Sequence, residues 1–308
     1  MRGSKSLVVG KMIITLAIAT ILIWLAGGIA YYVLGNYTRA NEYFMNSLKT
    51  AFAVAIPAIT LNIADKIFTA FCREFNIDQV KKSALTNLPN ATEYHVYKFE
   101  SSVVWAWQRL KEVSKNFLNL HQKCVDWIFF EASVKSFLYA TIIAAPIANV
   151  VDSACTTWRM ILTWSSSFLL SIYVVSVIMS QYYDIMLIIG SALIPCDLMR
   201  LRQIGATLYA IPVIYGPALY IWSFYAGKAL ANPDVSNVPS VTSFKFDLSN
   251  INPINTVNFI TNISSKMANA AYEVYFVAIG SILGFAVVGA LCVALARVLG
   301  GPGVRLSV

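Results

Sequence analysis

Long apolar runs alternate with shorter polar stretches along this chain. The runs fall at about 12–35, 50–65, 134–152, 160–182, 184–196, 203–227 and 272–298. Five of them come close to or exceed the roughly 20 residues that a helix needs to cross a hydrocarbon core of about 30 Å. The run at 50–65, TAFAVAIPAITLNIAD, is short, carries Pro57 and runs into Asp65. Its pattern leaves three placements open: spanning, lying at the interface, or dipping in and returning. The run at 134–152 contains Pro146, which predicts a kink within a membrane helix. Residues 157–196 carry almost no punctuation. One straight helix of that length would measure about 60 Å, twice the hydrocarbon core. Such a helix must break, tilt steeply or extend beyond the bilayer, and SQYYDIM at 180–186 is the natural place for a break, with Asp184 at an interface or facing protein. On that reading 160–182 spans and 184–196 is a short half-helix.

The polar stretches differ from one another. Between 66 and 135 the chain begins as linker and turn around Pro89 and Asn90. A helical pattern follows, with Ala106, Leu110, Val113, Phe117, Leu120, Cys124 and Trp127 on one stripe and Lys111, Glu112, Lys115 and Lys123 off it. Leu110, Val113, Phe117, Leu120 and Trp127 are the candidate cytoplasmic docking stripe for a partner. The same stripe equally suits a helix resting on the bilayer or on its own neighbours. Residues 230–268 are rich in Asn, Ser and Thr and read as an extracellular loop. The tripeptides NYT at 36–38 and NIS at 262–264 fit the glycosylation sequon.

Composition turns this pattern into a class. Of the 308 residues 58% are hydrophobic and 12% charged, and the mean hydropathy is +0.65. A soluble domain carries about 25% charged residues, so the excess apolar surface predicts a multi-pass protein of the cell membrane in contact with the bilayer. The fold class that follows is all-α: a polytopic transmembrane helical bundle with a helical cytoplasmic region. The expected layout is an N-terminal membrane part (1–65), the cytoplasmic region (66–135), central membrane helices (136–229), the outer loop (230–268) and a C-terminal membrane helix (269–308). The first run is too long for a signal-peptide core and lacks a clean cleavage site.

The net charge of +8 has a simple source in cytoplasmic loops that collect Lys and Arg. With both termini cytoplasmic and six crossings, 17 of the 23 basic residues face inward.

Chemistry-bearing motifs are scarce. There is no P-loop, HExxH, GxSxG or Gly-rich dinucleotide loop. The five cysteines form no CxxC pair, and His95 and His121 lack ligands at metal spacing. Asp152 and Cys155 lie near the serine-rich TWSSSF, but no histidine or lysine is placed in sequence to activate a serine there. The expectation is no catalytic residue, no metal and no cofactor. Gly280 and Gly284 have GxxxG spacing on the last helix and predict close helix packing, within the bundle or between copies. Asp65, Asp184, Asp197 and Glu273 all fall near span ends rather than mid-membrane.

One stretch joins two apolar runs in an unusual way. GSALIPCDLMRLRQIG, residues 190–205, reads as a helix joint built on Gly190, Pro195, Asp197 and Gly205, with Arg200 and Arg202 at its turn. Continued to Trp222, it resembles the central part of the TrbL-like polytopic inner-membrane component of type IV secretion and conjugation systems. It is similar in particular to the CedA-like archaeal DNA-import branch. Gly190, Pro195, Arg200, Arg202 and Gly205 take the family's places, with Pro212 and Pro217 in the helix after. The chain departs from the pattern in Cys196 and Asp197 after the proline and in its large outer loop. The resemblance implies an oligomeric channel or scaffold subunit that passes single-stranded DNA. A separate ATPase would supply energy, and small membrane or pilus subunits would attach. Arg200 and Arg202 would contact DNA or lipid phosphate. A small-solute transporter or ion channel, and a structural subunit of an envelope or pilus assembly, are the alternatives that the residues leave open.

Overall fold

The structure, a computed structural model, describes residues 3–74, 102–140, 144–195, 199–239 and 253–300. Eight helices and no strand occur among them: α1 (Gly3–Val33), α2 (Tyr37–Glu74), α3 (Ser102–Val113), α4 (Lys115–Ala140), α5 (Ala145–Leu193), α6 (Met199–Ala231), α7 (Pro233–Ser236) and α8 (Pro253–Val298). Four are long and apolar enough to cross a membrane: α2, α5, α6 from Leu201, and α8 from Ile254. A helical membrane bundle is therefore the fold. The contacts divide it into two compact units. One contains residues 1–108, 179–218 and 287–308; the other contains 109–178 and 219–286.

In the first unit α1 and α2 form a hairpin. Gly35, at φ +77°, makes its turn in the left-handed region that favours glycine, and Asn36 Oδ1 accepts from the Arg39 N–H at 3.3 Å to cap α2. A Cβ on Gly27 would come within 2.6 Å of the Tyr43 ring, so this glycine is the seat of that ring. The run at 50–65 is neither short nor re-entrant. It is the middle of the 38-residue α2, which continues through Pro57. The Pro57 carbonyl accepts from Tyr209 Oη at 2.5 Å and from Thr60 Oγ1 at 2.9 Å. Asp65 accepts the Val103 N–H at 3.1 Å, in the first turn of α3. Trp107 is 1% exposed, stacks on Tyr183 at 5.5 Å, and donates to the Pro212 carbonyl at 2.7 Å. Its indole fills the space left by Gly216 on α6. An apolar core gathers Ile194, Ala206, Tyr209, Ala210 and Val213 with Cys292, Ala296 and Leu299.

In the second unit α4 and α5 run antiparallel. His121 Nδ1 lies 2.8 Å from Ser166 Oγ, Arg159 reaches Glu131 at 3.0 Å, and Lys135 reaches Asp152 at 2.6 Å. Ser223 donates to the Val113 carbonyl, and Asn116 donates to the Ser223 carbonyl at 3.1 Å, which ties α3 and α4 to α6.

Several expectations change. α5 passes through 180–186 without a break and runs for 49 residues, about 73 Å at 1.5 Å per residue. A helix this long projects beyond the hydrocarbon core instead of breaking within it. The run 134–152 is not one helix. α4 ends at Ala140 and α5 begins at Ala145, with Pro146 in its first turn, where its missing N–H costs no hydrogen bond. Lys135 and Arg159 share the carboxylate of Asp152. The bilayer therefore does not separate them, although the six-crossing count placed them on opposite sides. The outer loop is also shorter than expected, because α8 already begins at Pro253. The sequon at Asn262 sits inside this helix, where Ser264 Oγ donates to the Ala154 carbonyl at 3.2 Å.

Candidate functional site

The joint between α5 and α6 is the first candidate. α5 stops at Leu193, Ile194 and Pro195 turn, and α6 starts at Met199. Gly190 and Gly205 are what let the two helices close. A Cβ on Gly190 would lie 2.6 Å from the Tyr209 backbone nitrogen, and one on Gly205 would lie 2.5 Å from Leu193 Cβ and 2.9 Å from the Ile194 nitrogen. The contacts are with backbone and Cβ atoms, which cannot swing away. Arg202 Nε points at the Leu299 carbonyl, 3.5 Å away, at the C-terminal end of α8. That placement suits a cation beside unsatisfied carbonyls at the negative end of a helix dipole. Part of the Arg202 guanidinium is thus occupied within the chain. Asp197 and the Arg200 side chain lie outside the described residues.

The candidate docking stripe is already covered. Leu110, Phe117 and Leu120 are fully buried, Trp127 is 1% exposed, and Val113 is partly buried. Trp127 also donates to the Val235 carbonyl at 3.3 Å. Leu110, Phe117, Leu120 and Trp127 pack inside the chain, and Val113 is partly accessible. The opposite face is the informative one. Lys111, Lys115, Asn119, Gln122 and Asp126, spaced four, four, three and four apart, are all exposed. Arg109 pairs with Glu112 at 3.0 Å and Lys123 with Asp126 at 3.6 Å. Lys111 and Lys115 make no ion pair among the described residues. The exposed face of α5 is the reverse: Met160, Trp164, Leu170, Val174, Ile178 and Tyr182. The periodicity was readable, but which face meets the chain was not.

A four-charge cluster, not visible in the sequence pattern, joins α4 to α5. Glu131, whose side chain is 1% exposed, accepts from Arg159 at 3.0 Å and from Lys135 at 3.3 Å. Asp152 bridges the same two cations at 2.8 and 2.6 Å. The spacing of Glu131 and Lys135, four apart, was the one available signal.

Next to it, the structure corrects the reading of TWSSSF. His121 does reach a serine there, Ser166, which is 5% exposed. Ser166 lies in mid-helix, where backbone N–H groups are committed to carbonyls four residues back, so no backbone oxyanion donors face it. The pair is a helix–helix hydrogen bond. Among the described residues no group of three or more His, Cys, Asp or Glu is placed to hold a metal.

The GxxxG pair divides into two roles. A Cβ on Gly284 would fall 2.1 Å from the Trp222 indole, so this glycine receives the ring. Gly280 has nothing within 4 Å of its Cβ position. It opens instead onto a cleft of about 450 Å³ bounded by Trp222, Tyr225, Lys228, Glu273, Phe276 and Ser281, among others. Comparison with family models, curated proteins and solved structures finds no match for this chain.

Proposed function

We propose that this chain is an oligomeric subunit of a membrane conduit for single-stranded DNA, with the polar face of α3 and α4 lining the path. The observation that carries this reading is the placement of that face. His121 sits beside Ser166, and residues 113 and 116 beside Ser223. Ser166 and Ser223 both belong to the apolar runs, 160–182 and 203–227. The junction of α3 and α4, with Lys111, Glu112 and Lys115 exposed, thus lies alongside segments that need lipid. Charged side chains alongside apolar spans face water or protein rather than lipid. Lys111 and Glu112 at the end of α3 and Lys115 at the start of α4 therefore favour a water-filled path over lipid contact.

In this arrangement α3 and α4 together make the third crossing in place of 134–152, and both termini stay cytoplasmic. DNA as cargo rests on the resemblance of residues 190–222 and on Lys111 and Lys115, which make no ion pair among the described residues, repeat around an oligomer and attract a polyanion. A separate ATPase and small membrane or pilus subunits complete the machine.

Cysteine placed at Lys111 or Lys115, one at a time, tests it. In sealed vesicles these cysteines are expected to react with a membrane-impermeant maleimide, and single-stranded oligonucleotide is expected to slow that reaction at least several-fold. Reaction only with lipid-partitioning reagents would sink the conduit. Reaction without oligonucleotide protection would keep the aqueous path and remove DNA from it.

A further inference from the structure

The cleft at Gly280 has a chemistry of its own. It lies where two helices leave their apolar runs: Lys228 is one residue past 203–227, and Glu273 is at the start of 272–298. That boundary is the level at which a bilayer changes from acyl chain to headgroup. The two walls carry opposite charges that do not neutralise each other, since no ion pair joins Lys228 to Glu273. The Lys228 ammonium lies over the Phe224 ring at 5.0 Å and the Tyr225 ring at 5.5 Å, held to one side of the cleft. Glu273 is half-buried and makes no hydrogen bond or ion pair among the described residues. A partly buried carboxylate without a counter-ion is costly, and aromatic rings beside a carboxylate are the usual means of holding an ammonium group. Trp222 and Phe276 supply those rings, while Tyr225 stays with Lys228. The floor is apolar and open, formed by Ala229, Val277 and the bare backbone of Gly280. The volume, about 450 Å³, is within the range of small-molecule sites.

We infer that this cleft binds one zwitterionic phospholipid, its ammonium at Glu273 and the aromatic wall, its phosphate at Lys228, and the start of an acyl chain over Gly280. The inference stands apart from the conduit reading, because it uses neither α3 nor α4.

Native mass spectrometry of the full chain, released from nanodiscs of equal phosphatidylcholine and phosphatidylglycerol, tests it. The expected result is one retained phosphatidylcholine per chain. Gly280→Leu fills the floor at a position with no neighbour to strike, and should lower retention at least tenfold with an unchanged melting temperature. Glu273→Gln should erase or reverse the preference for phosphatidylcholine, while Lys228→Gln should weaken retention of both lipids. Equal retention by wild type and Gly280→Leu, or an unchanged preference in Glu273→Gln, overturns the site. Displacement of the lipid by millimolar glycerophosphocholine would assign the cleft to a free zwitterion and overturn the lipid reading.

Discussion

Arg159→Leu is expected to be among the most destabilising single substitutions in the chain. It leaves Glu131, fully buried, and Asp152 to share one cation, Lys135. Removing one partner of a buried ion pair costs about 3–5 kcal/mol, because the other charge stays desolvated without compensation. The remaining Lys135 contact at 3.3 Å puts the expected cost near the lower end. Removing both members should be milder. Glu131→Leu/Arg159→Leu leaves the neutral Lys135–Asp152 pair and fills the gap with apolar volume. The double variant should recover most of the loss, and a double-mutant cycle on melting temperature in detergent reads the coupling. A double variant as unstable as the sum of the singles would show that the cluster is not a unit.

Gly190→Ala and Gly205→Ala should each lower the melting temperature by several degrees. Alanine is otherwise favoured over glycine in a helix interior by about 1 kcal/mol. Here each methyl meets atoms that cannot rotate out of the way: the Tyr209 backbone at 2.6 Å for Gly190, and Leu193 and Ile194 for Gly205. Overpacking of this kind costs about 1–3 kcal/mol, and more against backbone. Gly280→Ala is the control on the same measurement. With nothing within 4 Å of its Cβ position, it should be neutral or slightly stabilising. Equal effects at all three glycines would mean that helix propensity decides them and that the joint has no tight seam.

The joint shows how far sequence reading reached. Glycines near a proline between two apolar runs marked a turn, and Leu193 and Met199 bracket it. Residue patterns cannot show that Gly190 and Gly205 face the opposite helix, since that depends on the register between α5 and α6. The stripe on α3 and α4 stayed between a docking face and a face packed on its own neighbours for a related reason. A spacing of three and four fixes a buried face but not what buries it, and the chain supplies its own cover through Ser223, Val235 and α5. The run 134–152 misled because hydropathy averages across a helix boundary. Ala140 and Ala145 end and begin separate helices, and the apolar residues on either side look continuous only in one dimension. A break near Asp184 is one of three ways to place so long a run, and length alone does not choose among them. Nothing at 180–186 disrupts helical hydrogen bonding, so α5 simply continues.

The polar outer face of α3 and α4 also constrains how the protein is made. This segment is synthesised before α5, the helix against which it closes. Lys111, Glu112, Lys115, Lys123 and Asp126 make it a poor substrate for lateral release into lipid, where each charge near the centre of a span opposes insertion by a few kcal/mol. Its proposed entry therefore follows the synthesis of Ser166, Arg159 and Ser223, which supply its partners. On the proposed conduit reading the crossing made by α3 and α4 is completed only after α5 and α6 are synthesised, a delayed insertion that a chain of uniformly apolar helices would not require.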